Sequence, residues 1–592
     1  MANDHQGRHR MAVGVLAAGL AAAGGMQARA QNFERIAPEK LETPAPQKSL
    51  ALPDTPQPLP QGQQVLVARL RGLVFVGRAN AVTPDGVDTP GIHVIPGSVT
   101  DSEDFRTLMA PYLGRPLTLD LLNEVARKTV LYFRNHDRPL VDVVVPEQNI
   151  SSGVIQLVSM EFVAGSISAE GAEWFDDGQL LAAIRTKPGE SISGQGLLDD
   201  INWLNENPFR HTDLVYQRGR SPGETDIVLR TRDRLPLRVY GGFENTGSKT
   251  TSENRAITGF NWGNAFWLGH LLSYQYTASP DGFLHPGGKR YTAHAVTYQI
   301  PLPWRDSLTI MGSTSRSLPK LGDQFRQVGE STQISARYSS PLSTLEAVSQ
   351  KLELGVDFKR TNNNLEFGGT SVSSGFTDIF QGVLGYSAAR ADSFGSTALA
   401  LNAYFSPGGL SHGNTSTAFR PSDTHTGRSF ADARYAYLRA SVERGVDLPE
   451  GFNWLTRIQG QWASTNLLSS EQLGAGGADS IRGYGEQEVT ADQGVIVTHE
   501  IRTPDIEVAR RLGLGDVDDR LQLLGFWDAG RLVARRPVDG AKSAWTLSSL
   551  GIGMRYQTPY GSMRLAWGHA MPGTGQGNDR GDRLHFGVTL SY

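Results

Sequence analysis

Two patterns of hydrophobic and polar positions divide the chain near residue 235. After Leu237 apolar and polar residues alternate, as where Leu352, Leu354, Val356 and Phe358 stand between charged residues and glycine, and this two-residue period predicts β-strands. Sixteen such strands are predicted, starting near residues 237, 256, 271, 291, 307, 331, 350, 383, 396, 433, 453, 494, 520, 550, 562 and 584. An even strand number, with mostly long connections after odd-numbered strands and tight turns after many even-numbered ones, is typical of an outer-membrane barrel.

Two small α+β modules are predicted ahead of this barrel. The predicted fold is mainly β, with a transmembrane barrel of 16 antiparallel strands over residues 235–592. The first module, residues 65–161, has a helix from about residue 118 to 134 whose apolar residues share one face. Residues 79–100, before that helix, form a longer insertion than such a module needs. The second module covers residues 162–234. Both modules precede the first strand on the side of the tight turns, and this side of an outer-membrane barrel faces the periplasm.

The amino-terminal residues predict a secretory signal peptide, residues 1–30. Two arginines precede an apolar run from Met11 to Gly25, and Ala28-Arg29-Ala30 follows it. The run is about 15 residues long, short of the roughly 20 that a membrane-spanning helix needs, and an uncleaved anchor helix is the alternative. Residues 31–64 are rich in proline and predict an extended linker with at most a short plug helix. No later segment has 18 consecutive apolar residues, so the exported chain is either soluble or a closed barrel.

Composition removes several classes of function. The 592 residues carry 56 Lys and Arg against 60 Asp and Glu, a formal charge of −4, so nucleic acid is not indicated as a partner. The absence of cysteine excludes disulfides, zinc-thiolate sites and cysteine nucleophiles. No Gly-x-Ser-x-Gly, His-Glu-x-x-His or complete phosphate-binding loop is found, so neither an enzyme nor a cofactor is predicted. The acidic turn with Asp516, Asp518 and Asp519 is interpreted as solvated rather than as a metal site.

A glycine-rich loop, residues 465–493, carries the most informative polar residues. The three that are candidates for holding it in place are Arg482, Gly483 and Tyr484. Alternation assigns Asp528 on the thirteenth strand and Glu500 on the twelfth to the lumen, provided that the apolar faces meet lipid. An arginine fork that pairs with a carboxylate would offset the entropy lost by a loop folded into the barrel. The alternative is an ordinary exposed loop, with Asp528 one of many polar groups in the lumen.

The last strand alternates regularly up to a terminal aromatic residue. Leu584, Phe586, Val588, Leu590 and Tyr592 occupy every second position. This ending resembles the carboxy-terminal signal by which bacterial outer-membrane barrels are recognised and inserted, with Phe586 and Tyr592 as its aromatic residues. A last buried strand without a signalling role is the alternative.

The loop region also resembles a known family. The run LLSSEQLGAGGADSIRGYGEQEVTADQGVIVTHEIRTP is similar to the sixth-loop region of the outer-membrane transporters of two-partner secretion, the haemolysin secretion and activation family. That family has Val-Arg-Gly-Tyr in an inward loop and Phe-x-Asp-x-Gly on the thirteenth strand that holds it. Isoleucine replaces the valine here, and the matching positions are Ile481, Arg482, Gly483, Tyr484, Phe526, Asp528 and Gly530.

This resemblance covers nearly the whole mature chain. PEQNISSGVIQL (residues 146–157) and SPGETDIVLRTRD (residues 221–233) are similar to the ends of the family's two polypeptide-transport-associated (POTRA) domains. FENTG (residues 243–247) is similar to the opening of its barrel. One departure concerns the amino-terminal helix that often plugs the family's pore. Prolines limit such a helix to roughly residues 32–40 here, which puts a plug in doubt.

The resemblance implies a transporter in the bacterial outer membrane, with its POTRA domains in the periplasm. It would secrete, or secrete and activate, one large partner exoprotein without ATP, and the POTRA domains would capture that partner. Outer-membrane lipid and, during biogenesis, the barrel assembly machinery are the other partners implied. A barrel assembly factor, which carries the same loop motif, and a general diffusion porin are the alternatives. Assembly factors commonly have more amino-terminal modules, and a porin would leave the two modules without a task.

Overall fold

A computed structural model describes residues 32–41, 47, 50, 62–281, 290–319, 325–345, 348–367, 370–373, 375–422, 425–513, 515, 517–571 and 581–592. The predicted signal peptide and Asp516 lie outside these residues. The chain divides into two compact units, one of residues 46–234 and one of residues 1–45 with 235–592. No helix among the described residues is long and apolar enough to cross a membrane.

A four-stranded sheet with two helices forms the first module. Its elements are β1 (Gly72–Val76), β2 (Gly91–His93), α1 (Glu103–Met109), α2 (Leu119–Asn135), β3 (Val141–Val144) and β4 (Val154–Glu161), with 3-10 turns at Ala79–Ala81 and Ala110–Tyr112. The spatial strand order is β2-β1-β4-β3. Thr118 caps α2 by accepting a hydrogen bond from the Leu121 N–H at 3.1 Å. The sequence pattern does not predict β2, because three residues show no alternation and only the parallel pairing with β1 makes them a strand.

The second module has three strands and two helices. They are β5 (Val163–Glu170), α3 (Asp177–Ala182), α4 (Gly194–Leu204), β6 (Arg210–Arg218) and β7 (Glu224–Asp233). The strand order β5-β7-β6 leaves β6 at one edge of the sheet. Leu197 and Ile201 of α4 are fully buried against Ile227 and Leu229 of β7, which holds the helix on the sheet.

The predicted barrel of sixteen antiparallel strands is confirmed. The strands are β8 (Leu237–Glu244), β9 (Arg255–Ala265), β10 (His270–Ala278), β11 (Tyr291–Pro301), β12 (Ser307–Ser317), β13 (Phe325–Leu345), β14 (Val348–Phe367), β15 (Phe376–Asp392), β16 (Gly395–Ser406), β17 (Tyr435–Asp447), β18 (Asn453–Ala463), β19 (Gln493–Arg502), β20 (Arg520–Val533), β21 (Ala544–Thr558), β22 (Gly561–Ala570) and β23 (Asp582–Ser591). The barrel closes where β23 pairs with β8, from Gly587 opposite Glu244 to Ser591 opposite Tyr240.

Short elements occupy the connections of the barrel unit. The helices are Asn32–Ile36, Ser416–Phe419 and Val508–Arg511, the 3-10 turns are Pro449–Gly451 and Ser469–Glu471, and the strands are Thr370–Ser373, Pro421–Ser422, His425–Thr426, Leu473–Ala475 and Val489–Ala491. The amino-terminal helix Asn32–Ile36 lies within the predicted limits. Its Phe33 and Ile36 are buried in one cluster with Ala293 and Ala295 of β11 and with Met311 of β12.

Side chains alternate between the two faces of the barrel wall as predicted. On β20, Leu523 and Trp527 are 46% and 38% exposed, whereas Asp528 is fully buried. His499, a polar residue in the outward row of β19, stacks on the Trp527 ring with centroids 5.5 Å apart. Its Nδ1 lies 2.9 Å from Thr456 Oγ1, so a neighbouring side chain satisfies its polarity on the outer face.

The connection between β19 and β20, residues 503–519, is long although it lies on the side of the tight turns. It contains the helix Val508–Arg511, and the Asp519 carboxylate accepts hydrogen bonds from the N–H groups of Val508 and Ala509 at 2.9 and 3.1 Å. The interpretation of the acidic turn as solvated is therefore wrong for Asp519, which is fully buried and satisfies the first N–H groups of this helix.

Candidate functional site

The loop between β18 and β19, residues 464–492, folds into the lumen. Its two short strands, Leu473–Ala475 and Val489–Ala491, pair with each other in antiparallel register. Ile481 and Tyr484 at the tip are buried in one apolar cluster with residues of the barrel wall, which are Ile496, Leu532, Leu547 and Ala570. Burial of apolar residues from both the loop and the wall stabilises the inward position.

Arg482 lies at the centre of the polar contacts that hold the tip. Its Nε and Nη2 donate to the two oxygens of Asp528, both at 2.8 Å, and its backbone N–H donates to Asp528 at 3.0 Å. Its Nη1 donates to Glu500 Oε1 at 2.7 Å. We call Arg482, Asp528 and Glu500 the Arg482 cluster. The structure thus brings together the arginine and both carboxylates that the sequence singled out, in the forked geometry that only arginine offers.

Burial makes the contacts of the Arg482 cluster strong. The side chains of Arg482, Asp528 and Glu500 are 6%, 0% and 4% exposed, and ion pairs are screened far less in such surroundings than in water. Glu500 also accepts hydrogen bonds from Arg502 at 2.5 Å and from Arg555 at 3.1 Å. Sequence reasoning identified neither arginine as a partner of Glu500, because charged residues in the lumen are too common to be distinguished by position alone.

The remaining motif residues shape the site around the arginine. The guanidinium of Arg482 lies 3.5 Å from the centre of the Phe526 ring, a cation–π contact. A side-chain carbon placed at Gly530 would lie 2.7 Å from Ile481 Cδ1, so a larger residue there would displace the loop tip. The Phe526 ring therefore supports the arginine of the loop, and the missing side chain of Gly530 leaves room for Ile481 of the same loop.

Gly483 and Tyr484 fix the tip on the other side. Gly483 has φ +90° and packs against the backbone of β22, where a side-chain carbon placed at Gly568 would lie 2.5 Å from the Gly483 nitrogen. The Gly483 N–H donates to His585 Nε2 at 3.1 Å, and the Tyr484 hydroxyl donates to the Ser548 carbonyl at 3.0 Å. Tyr484 thus contributes a hydrogen bond as well as its place in the buried apolar cluster.

A second buried carboxylate anchors the base of the loop. Glu471 is fully buried and accepts hydrogen bonds from Lys359 on β14 and from Tyr437 on β17, both at 2.7 Å, and from Gln381 on β15 at 3.2 Å. Its backbone carbonyl accepts from Arg439 at 3.1 Å. Sequence reasoning missed Glu471, although it lies within the loop region that carries the family resemblance, because its partners come from strands far away in the sequence.

The carboxy-terminal end of the loop, at Asp492, binds the preceding extracellular loop. Asp492 pairs with Arg428, and its Oδ1 also accepts from the Leu467 N–H at 2.9 Å. On the opposite side of the tip, Arg35 of the amino-terminal segment donates to Gln487 Oε1 at 3.2 Å. The loop therefore has polar contacts at both bases and at its tip.

The predicted insertion signal lies at the closure of the barrel. The Phe586 ring stacks on Phe243 of β8 with centroids 6.0 Å apart. Tyr592 exchanges backbone hydrogen bonds with Val239 at 3.0 and 2.9 Å, and its side chain is 93% exposed. Tyr592 thus extends the closing pair while presenting its ring outward.

Chemically, the site is suited to holding a loop. Arg482, Asp528, Glu500 and Glu471 all bind other groups of the protein. Among the residues that the structure describes, no group of three or more His, Asp or Glu side chains is placed to hold a metal ion.

The chain combines a sixteen-stranded barrel, an inward loop held by buried charges, and two α+β modules. This combination defines a transporter of the outer membrane with POTRA domains. A family model described as haemolysin secretion/activation protein ShlB/FhaC/HecB matches residues 223–556, and one for the ShlB-type POTRA domain matches residues 87–161. The chain belongs to this haemolysin secretion/activation family, as predicted, and the outer-membrane location is confirmed with it.

Individual proteins show the same relationship. The heme/hemopexin transporter protein HuxB of Haemophilus influenzae (strain 86-028NP) is 22% identical over 410 residues, which cover 68% of this chain and 69% of HuxB. The outer membrane transporter CdiB of Dickeya dadantii (strain 3937) is 22% identical over 415 residues, or 67% of this chain and 69% of CdiB. The solved structure of CdiB from Escherichia coli matches with a TM-score of 0.69 at 18% identity and 98% coverage of both chains, so the fold is shared.

Proposed function

We propose that this protein secretes one large partner exoprotein across the outer membrane by two-partner secretion, without ATP and without enzymatic chemistry. The POTRA domains would capture the unfolded partner in the periplasm, and the partner would thread the barrel and fold outside, which gives transport its direction. The observation that carries this proposal is a barrel of the secretion/activation family whose lumen holds a specifically bound loop.

The contacts inside the barrel support the inference that the loop, the amino-terminal segment or both move during transport. The loop binds β14, β15 and β17 through Glu471 and binds β19 and β20 through the Arg482 cluster. The amino-terminal segment also lies in the lumen, where Glu39 accepts from Arg238 of β8 at 3.2 Å and from Thr589 of β23 at 2.7 Å. A polypeptide that threads this lumen must displace at least one of these two segments, so the contacts set the closed state.

The outer wall and the last strand bind the remaining partners. Exposed apolar residues such as Leu354, Ile552 and Leu590, which are 53%, 64% and 67% exposed, fit a surface that contacts lipid. The barrel assembly machinery would recognise the last strand during biogenesis, through Phe586 and Tyr592.

Comparing the culture medium of cells with and without this protein tests the proposal. We expect one large polypeptide to appear only in the medium of cells that have the protein, while the other outer-membrane barrels keep their amounts. Arg482→Ala should lower the secreted amount. Arg535→Ala, a matched change of an exposed extracellular arginine, should not. Identical media would refute secretion, and a general loss of other barrels would instead indicate an assembly factor.

A further inference from the structure

The edge of the second POTRA sheet forms a groove with the neighbouring helix. Among the described residues, β6 pairs with β7 on one side and with no strand on the other. The Asn205 side-chain amide binds this outer edge by accepting from the Thr212 N–H at 2.7 Å and donating to the Thr212 carbonyl at 2.9 Å. Backbone groups of alternate residues point the same way in an antiparallel strand, so Leu214 and Tyr216 present theirs at the same edge.

The groove has rigid walls. Arg210 at the start of β6 donates through Nε to the Leu204 carbonyl at the end of α4, at 3.0 Å. Its guanidinium stacks on the Phe175 ring at 4.7 Å. Burial lowers the pKa of Arg210 to about 10, so the side chain remains cationic at neutral pH and keeps this contact. Helix and strand edge are therefore held at a fixed separation.

The linker of the same chain lies in this groove. The Gln47 N–H donates to Asn202 Oδ1 on α4 at 2.7 Å, and Asn202 Nδ2 donates back to the Gln47 carbonyl at 3.1 Å. Gln47 Nε2 donates to Asp213 Oδ1 on β6 at 3.2 Å. Leu50 packs against the apolar core of the module. Gln47 thus contacts both the helix and the edge strand, with its backbone bound by the Asn202 amide, and Leu50 is partly buried.

These contacts have the character of extended-peptide recognition. Two hydrogen bonds from one amide to the N–H and carbonyl of a single residue read the backbone rather than the side chain, and a neighbouring apolar position accepts a leucine. Such contacts are weak between separate molecules. They suffice here because the linker is tethered to the module that it binds, which raises its effective concentration to about the millimolar range.

We propose that the linker, through Gln47 and Leu50, occupies in the resting protein the groove that an extended segment of the secreted partner enters. The backbone of the partner segment would bind the Asn202 side-chain amide and the edge of β6 in place of the linker, which would be displaced. Because this proposal rests on the proposed secretion function, the experiment must separate the failure of one from the failure of the other.

Crosslinking tests the position of the linker in the full-length protein. The chain has no cysteine, so the double variant Gln47→Cys with Asp213→Cys contains only the two introduced thiols and keeps the Asn202 amide that binds the linker backbone. A short bismaleimide added to outer membranes should link them within one chain. The matched control joins Gln47→Cys with Lys187→Cys, an exposed position between α3 and α4 on the side of β5, and should not crosslink. Equal yields from the two pairs would overturn the proposal.

Competition by the partner tests what the groove receives. The probe is the polypeptide that disappears from the medium of cells lacking this protein, expressed from an inducible promoter. Its induction should lower the 47–213 crosslink yield at least fivefold, and prior crosslinking should lower its secretion at least tenfold relative to cells treated with a monofunctional maleimide. A yield that does not respond while secretion proceeds would overturn this inference alone. A medium that never depends on the protein would overturn the secretion function itself.

Discussion

Replacing Arg482 by alanine should release the loop without unfolding the barrel. The change removes the three side-chain hydrogen bonds of 2.7 to 2.8 Å to Asp528 and Glu500. Glu500 keeps Arg502 and Arg555 as partners. Asp528 keeps only the hydrogen bond from the backbone N–H of residue 482 within the Arg482 cluster. The change therefore leaves a fully buried carboxylate without a cation.

The magnitude follows from this burial. Removing one partner of a buried ion pair costs about 3–5 kcal/mol, because the other charge remains in a medium that solvates it poorly. The loop can avoid this cost by leaving the lumen, which lets water reach Asp528. Since about 1.4 kcal/mol corresponds to a tenfold change, the equilibrium between the bound and the released loop should shift by roughly 10²- to 10⁴-fold.

Thiol labelling measures this shift. Ser480→Cys places the only thiol of the protein two residues before Arg482, at a half-buried position. Its rate of reaction with maleimide, relative to the unfolded protein, reports the released fraction. We expect fast labelling with Arg482→Ala and an intermediate rate with Arg482→Lys, which keeps the charge but not the fork. The control Arg535→Ala should label slowly. An unchanged rate in folded Arg482→Ala would refute the role of the Arg482 cluster.

Three further changes probe the other contacts. Glu471→Ala leaves Lys359 buried without its ion pair, at a cost of about 3 kcal/mol. It should lower the temperature at which the folded barrel converts to the unfolded form on an SDS gel, and Glu471→Gln should lower that temperature less. Equal midpoint temperatures for the wild type and both variants would contradict the role of Glu471 as an anchor of the loop. Gly568→Ala places a carbon 2.5 Å from the Gly483 nitrogen and should speed labelling of Ser480→Cys although no charge changes; slow labelling would mean that the backbone gives way instead. Deletion of Tyr592 should reduce the folded barrel in outer-membrane fractions, whereas Tyr592→Phe should not, and equal amounts would argue against an insertion signal.

The sequence predicted most of the barrel because each strand carries its own period. Leu523 and Trp527 against Asp528 already assign the two faces of β20, without knowledge of any neighbour. The module helix near residues 119–135 was readable for the same reason, since a local 3.6-residue period and the Thr118 cap define it. The strand β2 was not, because its three residues are a strand only through their pairing with β1.

The candidate site divides in the same way. Arg482, Gly483 and Tyr484, with Asp528 and Glu500, could be named from a motif in a glycine-rich loop and from strand parity. Their role in holding the loop remains a prediction until it is tested by mutation. The second anchor at Glu471 could not be named, because its partners Lys359, Gln381 and Tyr437 lie 112, 90 and 34 residues away and no local pattern links them.

By itself, the sequence determined the number of strands, the face of the barrel wall on which their side chains lie and the loop that carries the candidate functional residues. These depend on periodicity and on short motifs, which are properties of neighbouring residues. Only the tertiary structure decided which contacts hold the inward loop, that Glu471 anchors its base and that Gln47 binds the groove of the second POTRA domain. Those features depend on contacts between distant parts of the chain, whose geometry is fixed only when the barrel and the modules have closed around them.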